Sequence, residues 1–124
     1  MAANPRLIGD GAHLQEGGKG LEFGVKYRGK PERAFAIRHR GRVYAYLNRC
    51  AHRPMNLDWR PGEFFDISGL YLICATHGAL YAPDTGRCIG SPCQGGKLIY
   101  VPVQEQDGKI FLLPNPDFLM ADSQ

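Results

Sequence analysis

The chain has 124 residues, a formal net charge of +3, 44% hydrophobic and 22% charged residues. That length suits one domain with a modest core, and so mild a charge gives no reason to expect nucleic acid. No run of about 18 apolar residues is present, so no membrane-spanning helix is expected. The stretch from Met1 to Arg6 has no apolar signal core and is broken by Pro5, so a cytoplasmic location is expected.

Turn residues recur every eight to twelve positions, which predicts short strands in place of helices. Residues 21–27 alternate in apolar character and read as a strand, followed by a turn at Arg28, Gly29, Lys30 and Pro31. Residues 34–38 and 43–47 read as paired strands joined at Arg40 and Gly41, with His39 expected as a surface strand residue. Residues 63–66, 70–74 and 79–82 suggest a small three-strand sheet. Residues 97–103 and 109–113 suggest a hairpin that turns at Gln106, Asp107 and Gly108 and returns the chain to the first sheet. The tail is expected to end in a helical turn over 117–120 or to stay loose. No internal repeat or linker interrupts this order.

Two ligand pairs stand out. Cys50-Ala51-His52 is followed, after 21 residues, by Cys74-Ala75-Thr76-His77. Each pair supplies one thiolate and one imidazole, so together they suit two metal atoms in different electronic environments. A closed tetrahedral zinc site also accepts two Cys and two His. Zinc modules usually place Cys in pairs two to four apart with a separate His pair, whereas both arms here are mixed. A chance spacing of two buried Cys and two surface His is the remaining alternative.

With Gly78, the Asp84-Thr85-Gly86 turn and Gly90-Ser91-Pro92, these pairs resemble the cluster-binding region of Rieske [2Fe–2S] proteins. The resemblance is sharp across the middle third of the chain. It implies one [2Fe–2S] cluster per chain, with Cys50 and Cys74 on one iron and His52 and His77 on the other. It implies an all-β fold: a barrel-like antiparallel base, with a small cluster-binding β subdomain at about 49–95 inserted in a single domain over 1–124. Respiratory members carry a membrane anchor and a disulfide between their ligand loops. Met55 and Thr76 stand at the positions of that disulfide, so the chain is more similar to the soluble, ferredoxin-like branch. Cys88 and Cys93 flank the Gly90–Pro92 loop instead. They are either two half-buried thiols or a disulfide across a short loop, and a reducing cytosol favours the thiols.

The same resemblance bears on the potential. High-potential members place a Ser hydroxyl two residues after the second His, where this chain has Ala79. Tyr81 keeps the position of a donor to a ligand sulfur. With one donor lost and no brace, a low potential is expected within the family range of about −150 to +300 mV. Gly90-Ser91-Pro92 is expected to fold over the cluster as a stiff lid. Arg49, Arg53, Arg60 and Arg87 lie near the ligands in sequence. They form either a basic rim that speeds encounter with an acidic redox partner or ordinary solvated loop charge.

The function implied is a one-electron carrier between a flavoprotein reductase and a terminal oxygenase, with no substrate turned over on the chain itself. His13 and His39 do not form the motif for a mononuclear oxygenase iron, and the glycines mark turns and not a nicotinamide or flavin fingerprint. Two alternatives stay open. One is a small Rieske-like subunit partnering the large subunit of a reductase, as in nitrite reductases; the other is a zinc-stabilised interaction module.

Overall fold

Three Xaa-Gly turns set the registers of the base. Arg28-Gly29, Arg40-Gly41 and Asp107-Gly108 have φ of 52° and 83°, 52° and 78°, and 54° and 76°. Positive φ at both central positions gives the two-residue hairpin turn whose twist matches right-handed strands. The computed structural model describes residues 5–49, 62–74, 79–89, 96–113 and 116–120. Their strands are β1 (Arg6–Asp10), β2 (Leu21–Tyr27), β3 (Lys30–His39), β4 (Arg42–Leu47), β5 (Leu72–Ile73), β6 (Leu80–Tyr81), β7 (Val103–Gln106), β8 (Lys109–Leu112) and β9 (Phe118–Met120). Among the described residues the sole helical element is a 3-10 turn, Gly11–His13. The all-β, antiparallel fold is as expected.

One sheet runs β4-β3-β2-β9 and a second runs β1-β8-β7. The segment leading into β7 ties them together. Leu47 N–H donates to Ile99 O at 3.0 Å and Val101 N–H to Ala45 O at 2.8 Å, so residues 99–101 lie along β4 before the chain enters β7. The 97–103 stretch is therefore not one strand of a hairpin. Its first part pairs with Arg87, its middle with β4, and only Val103 onward with β8.

β3 is buried on both faces from Ala34 to Ile37. Ala34 and Ala36 face a core with Phe23, Val25, Ala45, Leu47, Val101, Ile110 and Leu112. Phe35 and Ile37 face a second core with Tyr46, Phe64, Leu72, Cys74, Tyr81 and Leu98. Side chains alternate across a strand, so small residues fill the tight interior of the base while aromatic ones reach outward to hold the 62–98 region. Phe35 and Phe64 stack with centroids 3.9 Å apart and planes at 8°, a pairing that adds about 1 kcal/mol beyond the area it buries.

Two expectations are corrected. Residues 118–120 form β9, paired antiparallel with Val25–Tyr27 of β2, in place of a helical turn; Phe118 is buried and lies 4.8 Å from the Tyr27 ring. β1, which sequence periodicity did not signal, pairs with β8 through a register shift between Leu7 and Gly9.

Arg38 knots the base together. Its guanidinium bonds Glu105 twice, at 2.9 and 2.7 Å, and donates to the carbonyls of Leu14, Gly11 and Gly41. Glu16 accepts the backbone N–H groups of Arg40 and Gly41, which pins the second turn. These contacts hold both carboxyls below the usual 4.5: Glu105 through its hydrogen bond to Arg38, Glu16 through the Gly41 and Arg40 amides. A carboxyl depressed in the folded state contributes stability that is present above its unfolded value and is lost as pH falls through the folded one. Glu105→Gln is thus expected to cost about 1 kcal/mol near neutrality. In urea titrations that difference should close below pH 4.5, and a difference that persisted there would rule out the charge as its cause.

Candidate metal centre

The first arm leaves the base at the end of β4. Arg49 N–H donates back to Leu47 O at 2.9 Å, and Asn48 N–H to Arg33 O at 2.8 Å, a tight turn around the buried Asn48. The Arg49 guanidinium lies 3.5 Å from Glu32. This turn directs the chain into the segment beginning with Cys50, which lies outside the described residues.

The second arm is a narrow antiparallel ribbon. Asp66 N–H donates to Tyr71 O at 2.8 Å, Ile73 N–H to Phe64 O at 3.0 Å, and Cys74 N–H to Ala79 O at 2.9 Å. The last bond closes a loop over 75–78, the stretch that contains His77. Cys74 is fully buried and is a thiol, not half of a disulfide. Ala79 and Tyr81 are buried in the same core as Cys74. A buried cysteine is ordinarily a neutral thiol; the thiolate a metal requires would be stabilised in so apolar a setting by the bound cation, so the position of Cys74 is compatible with a metal ligand.

Beyond Tyr81 the ribbon continues. Ala82 N–H donates to Arg87 O, Ile89 N–H to Leu80 O, Cys88 N–H to Gly96 O, and Leu98 N–H to Gly86 O, all at 2.8–2.9 Å. Tyr46 anchors this part to the base: its hydroxyl donates to Pro83 O at 2.7 Å, and burial pushes its phenol well above the usual range. Gly86 has φ +74°, and a Cβ there would lie 2.7 Å from Tyr46 Cε1. Gly86→Ala combines left-handed strain with overpacking, and a loss of about 2–4 kcal/mol is expected in thermal or urea unfolding. A change below about 0.5 kcal/mol would mean that Tyr46 yields freely.

Of the four expected ligands, the structure describes Cys74. Cys50, His52 and His77 lie outside the described residues, as do Arg53, Met55, Arg60, Thr76, Gly78, Gly90-Ser91-Pro92 and Cys93. Among the described residues no three His, Cys, Asp or Glu side chains converge on a metal position. Two expectations change. His39 is 8% exposed and stands 6.5 Å from the Tyr44 ring, so it is a core residue and not a surface one. It pairs with Arg42, at the opposite end of β4 from the turn that leads to Cys50. Cys88 is half-buried as expected, but is disulfide-bonded instead of a thiol, its partner lying outside the described residues. Tyr46 and Gly86 were not singled out as a supporting pair by their sequence context. The Asp84-Thr85-Gly86 turn was the available signal for one half of it.

The Rieske [2Fe-2S] domain profile matches residues 10–114. The chain belongs to the Rieske [2Fe–2S] domain family, and its cofactor is a [2Fe–2S] cluster, one per chain. The zinc reading is set aside on that ground. A ferredoxin of Sphingomonas yanoikuyae B1 has a similar structure, with a TM-score of 0.69 at 21% identity, covering 90% of this chain and 100% of that one. The ferredoxin of carbazole 1,9a-dioxygenase from Nocardioides aromaticivorans IC177 aligns with a TM-score of 0.67 at 21% identity, over 91% of this chain and 100% of its own. Dicamba monooxygenase aligns with a TM-score of 0.67 at 24% identity over 90% of this chain, which spans 33% of that enzyme's length. No curated protein matches the sequence. Among the described residues no helix is long and apolar enough to cross a membrane.

Proposed function

We propose that this protein is a soluble, cytoplasmic one-electron carrier, a Rieske-type ferredoxin that passes electrons from a flavoprotein reductase to an oxygenase and turns over no substrate itself. The chain acts as one domain, with a cluster-binding subdomain over about 49–95. Cys50 and Cys74 hold the inner iron, His52 and His77 the outer one. The cluster, when bound, supplies a single reversible electron, which rests on the imidazole-bound iron because that metal has the less negative ligands.

The observation that carries this reading is Cys74: a buried thiol at the mouth of a hairpin whose loop contains His77, in a fold shared with whole ferredoxin chains. The protein's own residues then divide the work. Cys74 keeps the inner iron away from water, Tyr81 holds a phenol in the same core, and Ala79 adds no hydroxyl. Solvent exclusion on the thiolate side leaves the histidine side as the route for the electron.

The test is anaerobic isolation with iron and acid-labile sulfide assayed together, followed by electron–nuclear double resonance on the reduced protein. Two irons and two sulfides per chain, with hyperfine coupling to two histidine nitrogens, are expected. Iron without sulfide, or coupling to no nitrogen, would sink the proposal.

A further inference from the structure

Arg87 and Lys97 are directly opposite each other in an antiparallel bridge, and both are exposed. Cross-strand partners have Cβ atoms about 5 Å apart, and like charges in that register repel. Among the described residues neither makes an ion pair, which is equally true of Arg6, Lys26, Lys30, Arg40, Arg42 and Lys109, whereas Lys19, Arg28, Arg33, Arg38 and Arg49 are paired. What sets Arg87 and Lys97 apart is that they face each other. Asp84, on the same hairpin, pairs with neither among those residues.

The bridge occupies one face of the ribbon. Exposure alternates along it: Arg87 is exposed, Cys88 packs against the core, and Ile89 is 47% exposed. Ile89 therefore shares the outer face with the two cations. Its N–H bonds Leu80 O at 2.9 Å, which sets it beside the strand that follows the second ligand loop. An apolar side chain next to two cations that have no ion pair among the described residues, on the ribbon that carries Cys74, has the composition of a docking patch.

We propose that Arg87, Lys97 and Ile89 form the docking surface for an acidic face of an electron-transfer partner. The partner's carboxylates relieve the cross-strand repulsion, and an apolar recess takes Ile89. This inference rests on the electron-carrier reading and adds to it the partner's charge and the contact residues. It narrows the basic rim expected from sequence. Arg49 is committed to Glu32, and Lys97, absent from that expectation, takes its place.

The test uses the cluster-loaded full chain in stopped flow with two protein probes of opposite charge. Reduced plant-type ferredoxin is the acidic electron donor to the oxidised chain, and cytochrome c is the basic acceptor from the reduced chain. Arg87→Gln with Lys97→Gln is expected to slow reduction by plant-type ferredoxin about tenfold at ~10 mM ionic strength. The difference should fall within about twofold at ~0.5 M, and transfer to cytochrome c should quicken. Ile89→Ser slows the plant-type ferredoxin reaction at both salt concentrations. Arg42→Gln, which removes one positive charge at the far end of β4, changes it by less than about twofold.

Rates in the double variant within about twofold of the parent at low salt overturn the proposal. So does an equal loss in Arg42→Gln, or a loss that tracks a shifted midpoint potential. A parent chain that binds no iron and sulfide overturns the carrier reading itself. Unaltered rates in a cluster-loaded chain overturn the docking surface alone.

Discussion

Cys74→Ser removes the visible absorption of the cluster and leaves the isolated protein with less than about a tenth of its iron and labile sulfide. The physical reason is the position of the thiol. Cys74 is fully buried among Phe35, Ile37, Tyr46 and Leu72, and among the described residues no carboxylate shares that core to take over as a ligand. A serine hydroxyl has a far higher pKa than a thiol and is a poor ligand when neutral. The apo variant keeps its β-rich circular dichroism, because the base core is built from other residues. His77→Ala and His52→Ala lose the cluster or its spectrum as well.

The control is His39→Ala. It retains a full complement of iron because it lies at the other end of β4 from the ligand arm. Because His39 is buried, with 8% exposure, the variant loses stability, by about 1–2 kcal/mol. Full iron in Cys74→Ser, or loss of iron in His39→Ala, would refute the ligand assignment.

The second large effect is on the potential. A midpoint in the lower half of the range of about −150 to +300 mV is expected, measured by mediated titration. Hydrogen bonds to sulfur stabilise the reduced, more negative cluster and so raise the potential. Ala79 contributes no side-chain donor, and it is buried beside Cys74 in a shared core. Ala79→Ser places a hydroxyl there and raises the midpoint, whereas Tyr81→Phe removes a phenol from the same core and lowers it. Shifts of tens of millivolts are expected, since about 60 mV corresponds to a tenfold change in a one-electron equilibrium. A parent midpoint above about +100 mV would show that backbone donors outweigh the missing hydroxyl.

Several features were legible because they are local. The Arg40-Gly41 and Gln106-Asp107-Gly108 turns announce themselves, since a glycine after a polar residue between apolar runs supplies the positive φ a hairpin needs. The turn expected at Arg28 to Pro31 is narrower in the structure: Lys30 and Pro31 already belong to β3. The 21–27 strand is read from alternation; of the small three-strand sheet expected over 63–66, 70–74 and 79–82, the structure forms the β5-β6 pair, with Phe65 joined to Leu72 by a single bridge. Features that depend on distant partners were not legible. β9 is three residues whose strand conformation comes from β2, more than ninety positions earlier. Residues 97–103 carry one apolar pattern but exchange partners twice, which no local periodicity encodes. His39 reads as a surface strand residue because no Cys or carboxylate stands near it in sequence, yet it is buried, with 8% exposure.

What the sequence by itself determined is the chemistry: two thiols and two imidazoles in mixed pairs, a family membership, and the absence of a hydroxyl at Ala79. These are matters of residue type and spacing, and no packing alters them. What only the tertiary structure decided is environment. Burial of Cys74, the support of the Gly86 turn by Tyr46, and the facing of Arg87 by Lys97 all arise from contacts between segments far apart in the chain. Burial and cross-strand register are properties of the assembled sheets, so they become visible only after β3 has been covered on both faces.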